Sequence, residues 1–201
     1  MIFSSAQNIL PVLTPILVGA VSLTVSAFLV VSAVRILKRQ IKLYNSIRLV
    51  ELRGNKVRYW AFILLLCFFI FYLIGQMIDP AAPERRLMER LLYMETAHYI
   101  LTLTFVIVML VGALLLMLAL ALSKSAVVDK GVYTESTYFD WYHIHDYIID
   151  EDRGIVILSG NKDTFRTLDG TTPPLKVAVN DIPKLKFILN KNKNKFSTPE
   201  E

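Results

Sequence analysis

Long apolar runs dominate the first 123 residues, and a mixed pattern with short periods fills the rest. The first run extends from Leu10 to Val34, the second from Trp60 to Ile78 and the third from Ala97 to Leu122. The only ionisable side chain in these runs that can carry charge near neutral pH is His98, at the start of the third. About 20 consecutive apolar residues cross a ~30 Å hydrocarbon core as a helix. A helix buried in a soluble protein seldom stays apolar on every side for that length. The pattern predicts three transmembrane helices over about 10–34, 60–78 and 97–123, within a membrane region 1–124. Residues 1–9 contain no Lys or Arg, so the first run reads as a retained helix rather than a cleaved signal.

From Ser125 the pattern becomes short β-prone stretches separated by turn residues. Strands are expected over 126–133 with a Lys-Gly turn, over 137–141, over 143–149 with a bend, over 154–158, over 164–168 and over 175–179. Asn180 or Asp181 then opens a helix with Pro183 in its first turn. Ile182, Leu185, Ile188 and Leu189 share one face of it. Trp141, Ile144, Ile155, Ile157, Leu185 and Ile188 are the expected core of this domain. It should span 125–190, and 191–201 should be a disordered polar tail. Antiparallel strands closed by one amphipathic C-terminal helix outline a pleckstrin-homology-like (PH-like) domain. About 65 ordered residues is short for that fold, so one strand is missing or comes from the segment beside the membrane. The expected fold class is therefore membrane α-helical with a small α+β PH-like domain.

Charge sets the expected orientation. The linker 35–59 holds Arg35, Lys38, Arg39, Lys42, Arg48, Arg53, Lys56 and Arg58 against Glu51 alone. The second linker, 79–96, balances three basic residues against four acids. The positive-inside rule places the first linker in the cytoplasm, the N-terminus outside and the C-terminal domain in the cytoplasm. The basic linker reads as a topology signal that also attracts anionic headgroups. Over residues 36–50, apolar residues at 36, 37, 41, 43, 44, 47, 49 and 50 suggest an amphipathic extension of the first helix along the membrane surface. The linker alone carries +7 and the rest of the chain −2, for a net charge of +5, so the basic balance is no sign of nucleic-acid binding. The single Cys67 forms no intrachain disulfide and says nothing about redox compartment.

Candidate chemistry is sparse. Glu95 and His98 have the i, i+3 spacing of di-iron bundles, but a second such pair and further inward carboxylates are required; Glu89 is the nearest. His143 and His145 would share one face of a strand, flanked by Asp140 and Asp146, without a third metal ligand fixed by spacing. No phosphate-binding glycine loop, nucleophile elbow or zinc spacing occurs. No cofactor is implied. Gly19, Ser22 and Ser26 on the first helix and Gln76 on the second are candidates for helix–helix packing. Lys130 stands without a basic cluster over 130–138, which leaves a phosphoinositide pocket unsupported.

Two stretches carry a family resemblance. One is Leu52-Arg53-Gly54 leading into the second helix. The other runs from Lys130-Gly131-Val132-Tyr133 through Phe139-Asp140-Trp141-Tyr142-His143-Ile144 to Asp152-Arg153-Gly154-Ile155-Val156-Ile157-Leu158. With the layout of three helices and a C-terminal domain, the chain resembles YobD-like bacterial inner-membrane proteins. The resemblance implies the bacterial plasma membrane and transfers no activity. The sequence therefore reads as a non-enzymatic accessory or scaffold subunit whose partners are the lipid bilayer and other membrane proteins or itself. The alternatives are an oligomeric transport or channel component and a metal-dependent membrane enzyme.

Overall fold

The computed structural model describes residues 2–54, 56–79, 86, 96–135, 137–160 and 170–193. The chain divides into two units, 1–34 with 57–121 and 35–56 with 122–201. The first holds helices α1 (Ile2–Tyr44, as far as Val34), α2 (Val57–Ile78) and α3 (Thr96–Leu122). All three are long and apolar enough to cross a membrane. At 1.5 Å per residue α1 is about 65 Å long, roughly twice the hydrocarbon thickness.

Within this unit small residues let α1 and α3 approach. Ser26 Oγ donates to the Val108 carbonyl at 3.3 Å. A Cβ on Gly112 would lie 2.8 Å from Ser26 Oγ, so the absent side chain is what permits this contact. In a bilayer, where lipid tails are as apolar as leucine, close packing and such hydrogen bonds replace the hydrophobic effect as the glue.

Among the described residues the second unit forms a seven-stranded, curled antiparallel sheet. Its strands are β1 (Arg48–Arg53), β2 (Ser125–Val128), β3 (Gly131–Tyr133), β4 (Tyr138–Asp140), β5 (Ile144–Asp150), β6 (Ile155–Gly160) and β7 (Leu175–Val177). The order across the sheet is β4-β3-β2-β1-β7-β6-β5. Helix α4 (Ile182–Lys193) follows β7. Ile182, Leu185, Ile188 and Leu189 of α4 join Val50, Leu52, Val127, Val132, Trp141, Ile144, Val156 and Leu158 in one core. Leu43, at the end of α1, packs on the other face of the sheet with Ala126, Val128 and Tyr133. All four β2 residues are consequently buried.

Four expectations need correction. The linker 35–59 is structured over most of its length: α1 continues as the expected extension but only to Tyr44, β1 occupies Arg48–Arg53 in place of its last part, and α2 begins at Val57. The extension of α1 is amphipathic, yet its Leu43 is buried against the sheet of its own domain rather than against lipid. Ile155 and Ile157 are only half-buried, whereas Val156 and Leu158 fill the core. His143 ends a 3-10 turn, Trp141–His143, and does not share a strand with His145. The expected strand at 164–168 and the tail from 194 lie outside the described residues.

Candidate interaction surface

The eight basic residues separate into three settings. Arg35, Lys38, Arg39 and Lys42 recur at i, i+3, i+4 and i+7 and therefore share one face of α1, where all four are exposed. Ile36, Gln40 and Leu43 mark the neighbouring face, and Ile36 and Leu43 are buried there. Gln40 holds that face down. Its Nε2 donates to the Lys124 carbonyl at 3.0 Å, and its Oε1 accepts from the Lys124 N–H at 2.8 Å. The basic stripe is thus set by a helix fixed on the sheet, not by a free linker.

Arg48 and Arg53 lie on β1. Arg48 pairs with Glu51 at 3.7 Å and stands 5.8 Å from the centre of the Tyr44 ring. Arg53 is opposite Lys176 of β7, and both are exposed, which places two positive charges side by side on the outer sheet face. Lys56 Nζ donates to the Ser123 carbonyl and so joins the segment leaving β1 to the segment entering β2. Arg58, in the first turn of α2, donates to Tyr59 Oη at 2.7 Å and stacks over its ring.

The remaining candidates are placed as follows. Gly19, Ser22, Ser26 and Gln76 are all buried among the helices. Gly19 faces Phe105, whose Cε2 would lie 2.7 Å from an added Cβ. Trp141, Ile144, Leu185 and Ile188 are in the sheet core, where the Trp141 indole N–H donates to the Asp129 carbonyl at 2.8 Å. Glu89 and Glu95 fall outside the described residues. His143 and His145 are exposed, and among the described residues no group of three or more His, Cys, Asp or Glu side chains is arranged to hold a metal.

Beside the covered face, Tyr133 and Tyr138 stack with ring centres 4.4 Å apart. The Tyr138 hydroxyl donates to Asp140 Oδ1 at 2.6 Å. Burial first, and then the hydrogen bond to Asp140, holds the Tyr138 hydroxyl well above its ordinary range. Burial and the Asp140 charge also raise Tyr133, with Arg39 acting in the opposite direction. These phenols stay protonated near neutral pH.

Sequence reasoning left open a strand from the segment beside the membrane; β1 is such a strand, but its residues and its central place were not identified. Its signal was the alternation of Val50 and Leu52 with Glu51 and Arg53. The chain matches no protein-family model, no curated protein and no solved structure among those compared.

Proposed function

We propose that this chain is a non-enzymatic accessory or scaffold subunit of the membrane. Its PH-like domain would meet protein or lipid headgroups at the cytoplasmic surface. The observation that carries the reading is the shortness of the connections. Residues 45–47 join α1 to β1, 54–56 join β1 to α2, and 123–124 join α3 to β2. A sheet tied by three such connections works within reach of the bilayer surface and of neighbouring membrane proteins. The antiparallel order with β1 between β2 and β7, and a C-terminal helix in the core, supports the PH-like description.

The exposed stripe Arg35, Lys38, Arg39 and Lys42 supports the cytoplasmic side through the positive-inside rule. A cluster of this size next to a span attracts anionic headgroups by about 1 kcal/mol per charge. The resemblance to YobD-like proteins supports a bacterial plasma membrane. Mild-detergent extraction from native membranes, followed by sizing and mass spectrometry, tests the reading. A reproducible, stoichiometric set of other membrane proteins is expected. A homogeneous species containing this chain alone would refute the accessory role.

A further inference from the structure

Between α1 and α3 runs a groove of about 430 Å³ lined by residues that include Pro15, Gly19, Leu23, His98, Leu101 and Phe105. That volume lies within the ~300–1,000 Å³ range of small-molecule sites. Among the described lining residues His98 alone has a polar side chain. Its Nδ1 is buried and makes no hydrogen bond with any described residue. A buried polar atom without a partner is costly, and ionisable groups at membrane depth mark functional sites. The apolar wall runs from Pro15 to Leu23 on α1, a rise of about 12 Å. His98 lies in the first turn of α3, at one end of a span.

We infer that this groove binds a long-chain fatty acid, its chain along α1 and α3 and its carboxyl group on His98 Nδ1. The pairing is complementary in either protonation state. Neutral imidazole donates or accepts at Nδ1, and imidazolium donates to a carboxylate. A single chain suits a groove bounded by two helices. The described lining residues include no Lys or Arg to neutralise a phosphate headgroup, which favours a carboxyl over a phospholipid head. Gly19 keeps the floor open, because any larger side chain there would meet the Phe105 ring.

Native mass spectrometry of the detergent-purified full chain, titrated with palmitate, tests this inference. One palmitate per chain is expected, at saturation. His98→Leu should weaken binding about tenfold, the loss of one hydrogen bond to a charged group. His98→Gln, which keeps a hydrogen-bonding group there, should lose less. Ala20→Trp, at an exposed position on the groove wall, should block the chain and reduce binding with His98 intact. Phosphatidylcholine should compete poorly. Palmitate adducts unaffected by both His98→Leu and Ala20→Trp, or displaced equally well by phosphatidylcholine, would overturn the assignment and leave an ordinary lipid contact.

Discussion

Leu52 lies directly across the sheet from Ser125, although the chain passes through α2 and α3 between them. On its other side Leu52 is opposite Val177 of β7. Among the described strands β1 alone joins the two halves of the sheet, so the domain at 125–190 is incomplete without a segment that precedes α2. This arrangement makes the stretch from α2 to α3 an insertion in the chain of the domain.

Leu52 should therefore matter to the whole sheet. Leu52→Ala is expected to destabilise the domain by about 2–5 kcal/mol, the range for emptying a buried leucine site. Glu51→Ala, one residue away on the outer face, should change stability by less than about 0.5 kcal/mol. Denaturant unfolding followed by Trp141 fluorescence in a Trp60→Phe background distinguishes the two. Equal effects would contradict a core position for Leu52.

The α1–α3 contact makes a prediction that depends on space alone. Gly112→Leu should lower the thermal stability of the helices in detergent, at a cost of roughly 1–3 kcal/mol, because its side chain must displace Ser26. Gly75→Ala on α2 meets nothing within 4 Å and should stay within about 0.5 kcal/mol of wild type. Thermal aggregation assays on the purified variants provide the comparison.

The tyrosine pair gives the domain an alkaline limit. Folding raises the pKa values of Tyr133 and Tyr138 above the ordinary value of 10.0, so the folded state favours the protonated phenols. Their stabilisation is complete below about pH 10 and is lost as pH rises above it. Denaturation midpoints measured from neutral pH upward should fall at the alkaline end. Tyr138→Phe should flatten that fall. A wild-type profile that stays level there would refute the linkage.

Orientation is tested at Tyr142, which is exposed at the surface of the sheet domain. In a Cys67→Ser background, Tyr142→Cys should react with a membrane-impermeant maleimide in inside-out vesicles and not in right-side-out ones. The reverse labelling pattern would put the domain outside.

The parts of the fold that were legible in the sequence are those whose period is decided locally. Ile182, Leu185, Ile188 and Leu189 recur with helical spacing, and their burial follows it. The three apolar runs were legible from length alone, although α1 extends beyond its run because its polar last turns pack on the sheet. The phase of Ile155–Leu158 was not legible, since four consecutive apolar residues fit either face. Pairing with β5 and β7 decides it, turning Val156 and Leu158 inward. The bend expected near Ile144 appears as a register shift between Ile144 and Asp146. The helical extension through Arg35 to Lys42 was legible from its apolar spacing, but the sheet it packs on was not, because that contact joins segments distant in sequence. The groove at His98 needed two distant segments side by side, which no local pattern encodes.

The composite domain is tested most directly by hydrogen exchange on the full chain in lipid nanodiscs, read at the amides of residues 50–53. A central strand exchanges by opening of the sheet, so these amides should be protected as strongly as those of Val156–Leu158 in β6. Exchange at the rate of an unstructured linker, with β6 still protected, would show that the sheet closes without β1.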